Sequence, residues 1–156
     1  MKLLLLENIR SAYNVGAVFR TADATAVDKI LLVGHTPAPI DRFGRIQSEI
    51  YKTSVGASAF IAWEHFESVE LALEAVEVAK VQVVAVELSK QAISIEYFIE
   101  PKNVLYVLGN EVTGVSQYVL DIADTIIELP MLGQKESLNI SVTAGVVLYH
   151  GIIHKI

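Results

Sequence analysis

The chain has 156 residues, of which 53% are apolar and 19% charged, and its formal net charge at pH 7 is −6. This composition excludes a disordered or low-complexity protein, and the length predicts a single domain over residues 1–156. The absence of cysteine excludes disulfides, thiolate metal sites and cysteine nucleophiles. No apolar run reaches the roughly 18 residues of a membrane span, so we expect a cytoplasmic protein without membrane contact.

The first half of the chain alternates between strand-like and helix-like patterns. Residues 2–6 form an apolar run typical of a buried strand, and apolar side chains recur at helical spacing over residues 15–25. Asn14 precedes this helix and is predicted to cap it. Residues 34–47 contain prolines, glycines and two arginines and predict a long exposed loop. Two more strands are predicted, at residues 29–33 and 58–63.

The second half continues the alternation. The clearest helix is predicted over residues 68–80, with Ser68 as its cap and an apolar side that includes Leu73 and Ala79. A final helix is predicted from about Asn139 to His154. Three further strands are predicted, at residues 82–86, 103–108 and 125–129. Strands that alternate with helices predict an α/β fold with a mostly parallel sheet flanked by helices, and these patterns alone indicate a plain flavodoxin-like sandwich.

Ligands of open parallel sheets bind beyond the carboxyl ends of the strands, where three polar, glycine-rich stretches of this chain lie. The first stretch, residues 8–23, follows the first strand and carries Asn14, Gly16 and Arg20. Arg20 lies in an otherwise small and apolar helix. The alternative to a functional role is that Arg20 only extends its charged end into solvent at the edge of the helix.

The second stretch, residues 107–116, places Gly109 and Gly114 on either side of four residues, as in a phosphate loop. Val115 stands where such a loop needs lysine, which argues against phosphate binding of that kind. The alternative is a tight turn between a strand and a helix, with Glu111 in a capping role.

The third stretch, residues 129–145, brings several hydroxyl and amide side chains into an apolar helix. Burying such polar groups costs free energy unless they form hydrogen bonds or contact a ligand. Capping of the helix by Ser137 or Asn139 explains one of them but not all.

Other chemistries find little support. His150 and His154 have a helical metal-ligand spacing but no acidic partner nearby, so we predict no metal site. The chain lacks the GxGxxG of a Rossmann dinucleotide site after its first strand, and it lacks the GxSxG elbow of a serine hydrolase.

Charge is distributed unevenly along the chain. Residues 1–60 carry seven basic and five acidic side chains, whereas residues 61–156 carry five basic and thirteen acidic ones. Either these are ordinary solvated faces, or the first third presents a basic surface of the kind that phosphate contacts need.

Together and in this order, the three stretches resemble the three motifs of the SpoU-type, TrmH-like RNA ribose 2′-O-methyltransferases of the SPOUT superfamily. The matching residues are Asn14, Gly16 and Arg20 in the first motif, Leu108, Gly109, Glu111 and Gly114 in the second, and Pro130, Met131, Ser137, Leu138, Asn139 and Ser141 in the third. The chain departs from the family at Thr25-Ala26, where Phe-Gly is common, and at Val112, where glycine is common.

The resemblance implies a C-terminal trefoil knot, S-adenosylmethionine as cofactor, a homodimer and a tRNA or rRNA substrate. An accessory protein that supplies RNA affinity is a further candidate partner, which the sequence does not decide. The cofactor contacts that it implies are Val86, Gly109, Leu129, Met131 and Leu138. The catalytic residues that it implies are Arg20, Asn14, Glu111, Ser137 and Asn139.

An arginine stays protonated under ordinary conditions, so we expect Arg20 to clamp a phosphate and stabilise the developing alkoxide rather than act as a base. We expect Ser137 and Asn139 to orient Arg20 or the ribose, and Glu111 to brace the loops or the arginine. The predicted RNA contacts are Arg10, Arg42, Arg45 and Lys52. The alternative function is a non-catalytic RNA- or nucleotide-binding module of similar fold, which would lose Arg20 or Asn139.

Overall fold

Strands and helices alternate in the computed structural model, which describes residues 1–77 and 80–153. The strands are β1 (Lys2–Glu7), β2 (Lys29–Val33), β3 (Ala62–Phe66), β4 (Gln82–Val86), β5 (Ile93–Ser94), β6 (Val104–Leu108) and β7 (Thr125–Glu128). The helices are α1 (Ala12–Ala24), α2 (Ser48–Ser54), α3 (Val69–Ala75), α4 (Gln117–Ile122) and α5 (Ile140–Ile153).

The described strands form one parallel sheet in the order β3-β2-β1-β6-β4-β7-β5. Leu5 of β1 lies between Leu31 of β2 and Val107 of β6, so the sixth strand of the chain pairs with the first. The predicted α/β class is confirmed. The order is not that of a plain flavodoxin-like sheet, because β6 separates β1 from β4. The trefoil knot stays a prediction.

Alternate residues of the strands face two different apolar layers. Leu4 packs into the layer that contains Phe19 of α1 and Leu148 of α5. Its neighbour Leu5 packs into the opposite layer, with Leu73 of α3. Helices therefore cover both faces, and the two helices that carry the first and third motifs share one face.

The predicted strand at residues 58–63 is wrong in position. A 3₁₀ turn occupies Ala57–Ala59, and the Phe60 side chain is 84% exposed. The strand itself is β3, which begins at Ala62 and lies at the edge of the sheet with mostly exposed residues. The apolar run here is thus no sign of burial in the sheet.

The predicted helix at residues 68–80 is shorter than expected. Ser68 caps it as predicted, since its hydroxyl accepts from the Leu71 N–H (3.4 Å). The helix ends at Ala75, and Glu77 then takes a positive φ of 49°. Ala79, predicted on its apolar side, lies outside the described residues.

Three short elements, α2, α4 and β5, were not predicted by periodicity. They have seven, six and two residues, which are too few to establish a period. The final helix is close to its predicted bounds, and His154 lies outside the described residues.

The cap of α1 is Ser11 and not Asn14. The Ser11 hydroxyl accepts from the backbone N–H of Asn14 (3.2 Å), so the helix begins three residues earlier than expected. This leaves the Asn14 side chain free for other contacts on the first turn of the helix.

The buried carboxylate of Glu100 lies between the sheet and the C-terminal end of α5. Lys2 Nζ lies 3.1 Å from Glu100 Oε2, and the Tyr106 hydroxyl donates to the same oxygen (2.8 Å). Burial, reinforced by Glu100, raises the pKa of Tyr106 far above its ordinary value, so the hydroxyl remains a donor. A Cβ at Gly151 would collide with the Glu100 carboxylate, so α5 approaches closely here. His150 Nε2 also bonds to Phe98 O (2.8 Å).

The turn after α1 has a left-handed residue, Ala26, at one of the two positions where the family commonly has Phe-Gly. Ala26 has a φ of 53°, and the Ala26 N–H donates to Asp23 O (3.2 Å). A Cβ in this left-handed conformation costs energy. Val112, the other departure from the family, has no positive φ and needs no glycine.

Replacing Ala26 by glycine should therefore stabilise the chain, by up to about 1 kcal/mol, because the steric cost of the left-handed conformation disappears. Urea unfolding followed by circular dichroism at one protein concentration measures the change. The matched control is Ala24→Gly, in helical backbone two residues earlier, which should destabilise by about 0.5–1 kcal/mol. Equal effects of the two substitutions would contradict the argument.

Candidate functional site

A cleft of about 660 Å³ opens at the carboxyl edge of the sheet. Its walls are the loops that follow β4, β6 and β7, together with the start of α5. The five residues predicted to contact the cofactor all line it: Val86, Gly109, Leu129, Met131 and Leu138. The volume is within the range of about 300–1,000 Å³ that is typical of small-molecule sites.

The cleft combines apolar side chains with carboxylates. Leu129 and Leu138 contribute apolar surface, and backbone is accessible at Gly109 and Gly114. The lining carboxylates are Glu87, Glu111, Glu128 and Glu136. Among the described residues that line the cleft there is no lysine or arginine, so the cleft favours a ligand that carries positive charge.

The loop after β6 is a tight turn whose glycines are required by backbone packing. Asn110 and Gly114 exchange two backbone hydrogen bonds, of 3.1 and 2.9 Å. A Cβ at Gly109 would collide with the backbone of Gly114 and Val115. Gly114 has a φ of 73°, and a Cβ there would collide with the Glu87 carboxylate. The two glycines of this motif therefore form a tight turn, which was the predicted alternative to a phosphate loop.

Two carboxylates that the sequence did not single out hold the far side of this loop. Glu87 Oε2 accepts from the Val115 N–H (2.8 Å). Glu7, which is buried at the end of β1, accepts from the Ser116 N–H (3.0 Å). Asn110 adds a third anchor, since its Nδ2 donates to Asn8 O (2.7 Å). The contacts from Glu7 and Asn8 join residues more than 100 positions apart in sequence, so no local sequence pattern predicts them.

Three predicted catalytic residues, one from each motif, form a single hydrogen-bonded chain. Asn14 Nδ2 donates to Glu111 Oε1 (3.5 Å), and Asn139 Nδ2 donates to Asn14 Oδ1 (3.2 Å). Glu111 Oε2 also accepts from the Arg10 backbone N–H (3.2 Å). Glu111 therefore braces the loop after β6 against the β1–α1 loop and α1, which is one of the two roles predicted for it.

Asn139 has a second task at the start of α5. Its Oδ1 accepts from the Ser141 N–H (2.8 Å) and from the Ser141 hydroxyl (2.7 Å), and its carbonyl accepts from the Thr143 N–H (2.9 Å). Asn139 is thus the N-cap of α5 and the partner of Asn14 at once. Ser137 is exposed on the cleft wall and makes no side-chain hydrogen bond with the described residues.

The structure does not bring Arg20 to the cleft of its own chain. Arg20 is exposed on α1, about 9 Å along the helix axis from Asn14 at the usual rise per residue. Among the described residues its guanidinium has no hydrogen bond or ion pair, and it does not line the cleft.

The four predicted RNA contacts are all exposed and lie outside the cleft. Arg10 is in the loop between β1 and α1, and Lys52 is on α2. Arg42 and Arg45 lie in the long loop before α2, where Arg45 pairs with Asp41 (2.8 Å).

Within residues 1–77 and 80–153, no group of three or more side chains is able to hold a metal ion. No helix in this part of the chain has the length and apolar character needed to cross a membrane.

Residues 1–149 match the model of the SpoU rRNA Methylase family. The chain belongs to this family. It is 27% identical over 146 residues to the 23S rRNA (guanosine-2′-O-)-methyltransferase RlmB of Neisseria meningitidis, covering 94% of this chain and 56% of that protein. It is 31% identical over 150 residues to the tRNA (guanosine(18)-2′-O)-methyltransferase of Aquifex aeolicus, covering 94% and 66%.

The fold is also shared with solved structures of the family. The AdoMet-bound rRNA methyltransferase from Sinorhizobium meliloti superposes with a TM-score of 0.87 at 26% identity, covering 99% of this chain and 57% of that one. The resemblance that the three motifs indicated is confirmed. This SpoU-family chain spans between 56% and 66% of the length of these relatives.

Substituting Gly114 by alanine should destabilise the chain by about 1–2 kcal/mol, because a Cβ is costly in this left-handed backbone and the Glu87 carboxylate must move away from it. Gly133→Ala is the matched control, since a Cβ at exposed Gly133 meets nothing within 4 Å. We expect it to change the free energy of unfolding by no more than ~0.5 kcal/mol in urea titrations. If Gly114→Ala were as mild as the control, the close approach of Glu87 would not constrain this loop.

Proposed function

We propose that this SpoU-family chain transfers a methyl group from S-adenosylmethionine to a ribose 2′-hydroxyl of a tRNA or rRNA in the cytoplasm. The observation that carries the proposal is the hydrogen-bonded chain of Glu111, Asn14 and Asn139. It gathers one residue of each family motif beside a cleft of cofactor size. The names of the relatives, which are RNA 2′-O-methyltransferases, support the same reaction.

The cleft suits S-adenosylmethionine chemically. The cofactor carries a sulfonium, an ammonium and a carboxylate group, so its net charge is positive, and the charged side chains among the described lining residues are carboxylates. Val86, Leu129 and Leu138 offer apolar surface to an adenine ring, and Gly109 lines the cleft with them. When bound, the cofactor supplies an electrophilic methyl group, and the sulfonium is left as a neutral thioether.

The residues of the chain would contribute to the reaction by orienting the ribose and by stabilising the charge that develops on it. The 2′-hydroxyl releases its proton to water as its oxygen bonds to the methyl carbon, so negative charge develops on that oxygen in the transition state. A fixed guanidinium beside that oxygen and the adjacent phosphate stabilises both charges. We assign this role to Arg20, and we assign Ser137 and Asn139 to the orientation of the ribose.

Arg20 reaches a cleft if the chain forms a homodimer. On α1, Tyr13, Ala17 and Arg20 lie on one side of the helix at spacings of four and three residues. On α5, a stripe of half-exposed apolar residues runs the length of the helix: Val142, Val146, Tyr149 and Ile153. The two helices pack together, so a second copy docked on this face would meet Arg20. We therefore propose that Arg20 serves the cleft of the partner subunit.

RNA contacts are proposed at Arg10, Arg42, Arg45 and Lys52. All four are exposed in the basic first part of a chain whose net charge is −6. Such a chain should bind RNA modestly and with a steep salt dependence. An accessory protein that adds RNA affinity remains part of the proposal.

The direct test is methyl transfer from labelled S-adenosylmethionine to bulk tRNA and rRNA, followed by nuclease digestion and mapping of the modified nucleotide. Calorimetry with S-adenosylmethionine measures cofactor binding separately. Cofactor and RNA binding without transfer would favour the non-catalytic alternative.

Arg20→Ala should abolish methyl transfer while cofactor affinity stays near that of the wild type, because the role assigned to Arg20 is toward the ribose oxygen and phosphate of the RNA and not toward the cofactor. Asp23→Ala, an exposed substitution on the same helix, is the control and should remain active. If Arg20 acts in the partner's cleft, mixing Arg20→Ala with inactive Asn139→Ala should restore about a quarter of the activity, since half the dimers then hold one intact site. Equal loss of cofactor affinity and activity in Arg20→Ala would contradict its assigned role.

Val146→Glu should convert the dimer into a monomer, because it places a charge in the middle of the α5 stripe. Light scattering at micromolar concentration measures the mass. Leu71→Glu, on a half-exposed site of α3 across the sheet, is the control and should leave the dimer intact. A monomeric wild type would contradict the proposed homodimer.

A further inference from the structure

The long loop before α2 ends in a small, well-formed hairpin. Ile40 and Ile46 pair in an antiparallel bridge, and the Asp41 N–H donates to Arg45 O (2.9 Å). The Gly44 N–H donates to Asp41 O (2.9 Å), and Gly44 supplies the positive φ of 78° that closes the turn. At the tip, the Phe43 side chain is 67% exposed.

The Asp41 carboxylate fixes the shape of this tip. Its Oδ1 accepts from the Phe43 N–H (2.8 Å) and the Arg45 N–H (3.0 Å), and its Oδ2 accepts from Arg45 Nε (2.8 Å). The backbone hydrogen bond from Arg45 contributes most to holding the pKa of Asp41 below its usual value, so the carboxylate stays charged. The hairpin is therefore organised before any partner arrives.

The ring of Phe43 is flanked by two guanidinium groups. The Arg42 Cζ lies 4.8 Å from the ring centroid and the Arg45 Cζ lies 5.1 Å from it. Asp41 compensates the charge of Arg45, whereas Arg42 has no acidic partner among the described residues. An exposed aromatic ring beside guanidinium planes offers stacking surfaces to a base and positive charge to its phosphate.

Both ends of the loop are attached to the elements that carry the first motif. At its start, Thr36 Oγ1 donates to Leu6 O (2.9 Å) and accepts from the Ile9 N–H (3.0 Å). At its end, α2 packs so closely on α1 that a Cβ at Gly16 would collide with Thr53. The loop that carries the hairpin is thus attached to the β1–α1 loop, and the Arg10 N–H of the β1–α1 loop in turn donates to Glu111 at the cleft (3.2 Å).

We propose that Phe43, assisted by Arg42 and Arg45, stacks on an unpaired base of the RNA substrate close to the methylated nucleotide. This inference rests on the proposed function. A ribose that must enter a cleft is presented more readily by a loop, bulge or end than by a continuous duplex, and unpaired bases need a stacking partner. Positive charge around the ring favours a nucleotide over an apolar protein segment. The substrate class is therefore RNA with single-stranded bases at the target.

The test compares Phe43→Leu, which keeps an apolar side chain but removes the aromatic face, with the wild-type full chain. The readouts are KM and kcat for RNA methylation, and the fluorescence of 2-aminopurine placed beside the target nucleotide. We expect KM for RNA to rise roughly tenfold, with loss of the fluorescence change. The salt slope of binding should stay that of the wild type, because no phosphate contact is removed.

Three companion variants separate stacking from other effects. Phe43→Tyr keeps an aromatic face and should recover the affinity that Phe43→Leu loses. Phe60→Leu changes another exposed phenylalanine, which no arginine flanks among the described residues, and should behave as wild type. Arg42→Gln should flatten the salt slope, because it removes a charge that contacts phosphate.

The outcomes distinguish this inference from the function on which it rests. Wild-type methylation with an unaltered KM in Phe43→Leu overturns the stacking role alone. A change of oligomeric state in Phe43→Leu by light scattering also overturns it, because the ring would then be a subunit contact. Absence of transfer by the wild type to any RNA overturns the proposed function and the inference together.

Discussion

The side-chain amide of Asn14 is the contact on which the geometry of the site depends. It donates to Glu111 and accepts from Asn139, residues 97 and 125 positions away in sequence. Because Asn14 is buried, losing either bond would leave a polar group without water or partner. The loops after β6 and β7 are thereby fixed against α1, and the cleft between them keeps its shape through a chain of mutually polarised hydrogen bonds.

The motif residues divide into two groups with different physical roles. Gly16, Gly109 and Gly114 permit close approach of a helix, a backbone and a carboxylate, respectively, where any Cβ would collide. Glu111 and Asn139 border the cleft and also hold its walls. Since Asn139 caps α5 and partners Asn14 with the same amide group, the stability of the helix and the arrangement of the site are set by one side chain.

The sequence predicted the buried strands and the cleft better than the loops that connect them. Apolar runs located β4 within its observed bounds, and the resemblance placed all five expected cofactor contacts on one cleft. The seven residues of α2 carry no helical period, and Asn14 was taken for a cap because the local pattern cannot show its distant partners. Glu7 and Glu87 were missed for the same reason, since their role follows from a turn that packs on them from another part of the chain.

The position of β6 in the sheet constrains the order in which the chain can fold. β1, β2, β3 and β4 are synthesised before β6, yet β6 lies between β1 and β4. The first four strands therefore cannot close into one sheet, and a gap must stay open until residues 104–108 emerge from the ribosome. Pairing across about a hundred residues is entropically costly, so assembly should be slow compared with that of proteins built from local contacts. Until then the exposed edges of β1 and β4 are the parts of the nascent chain most prone to pair wrongly.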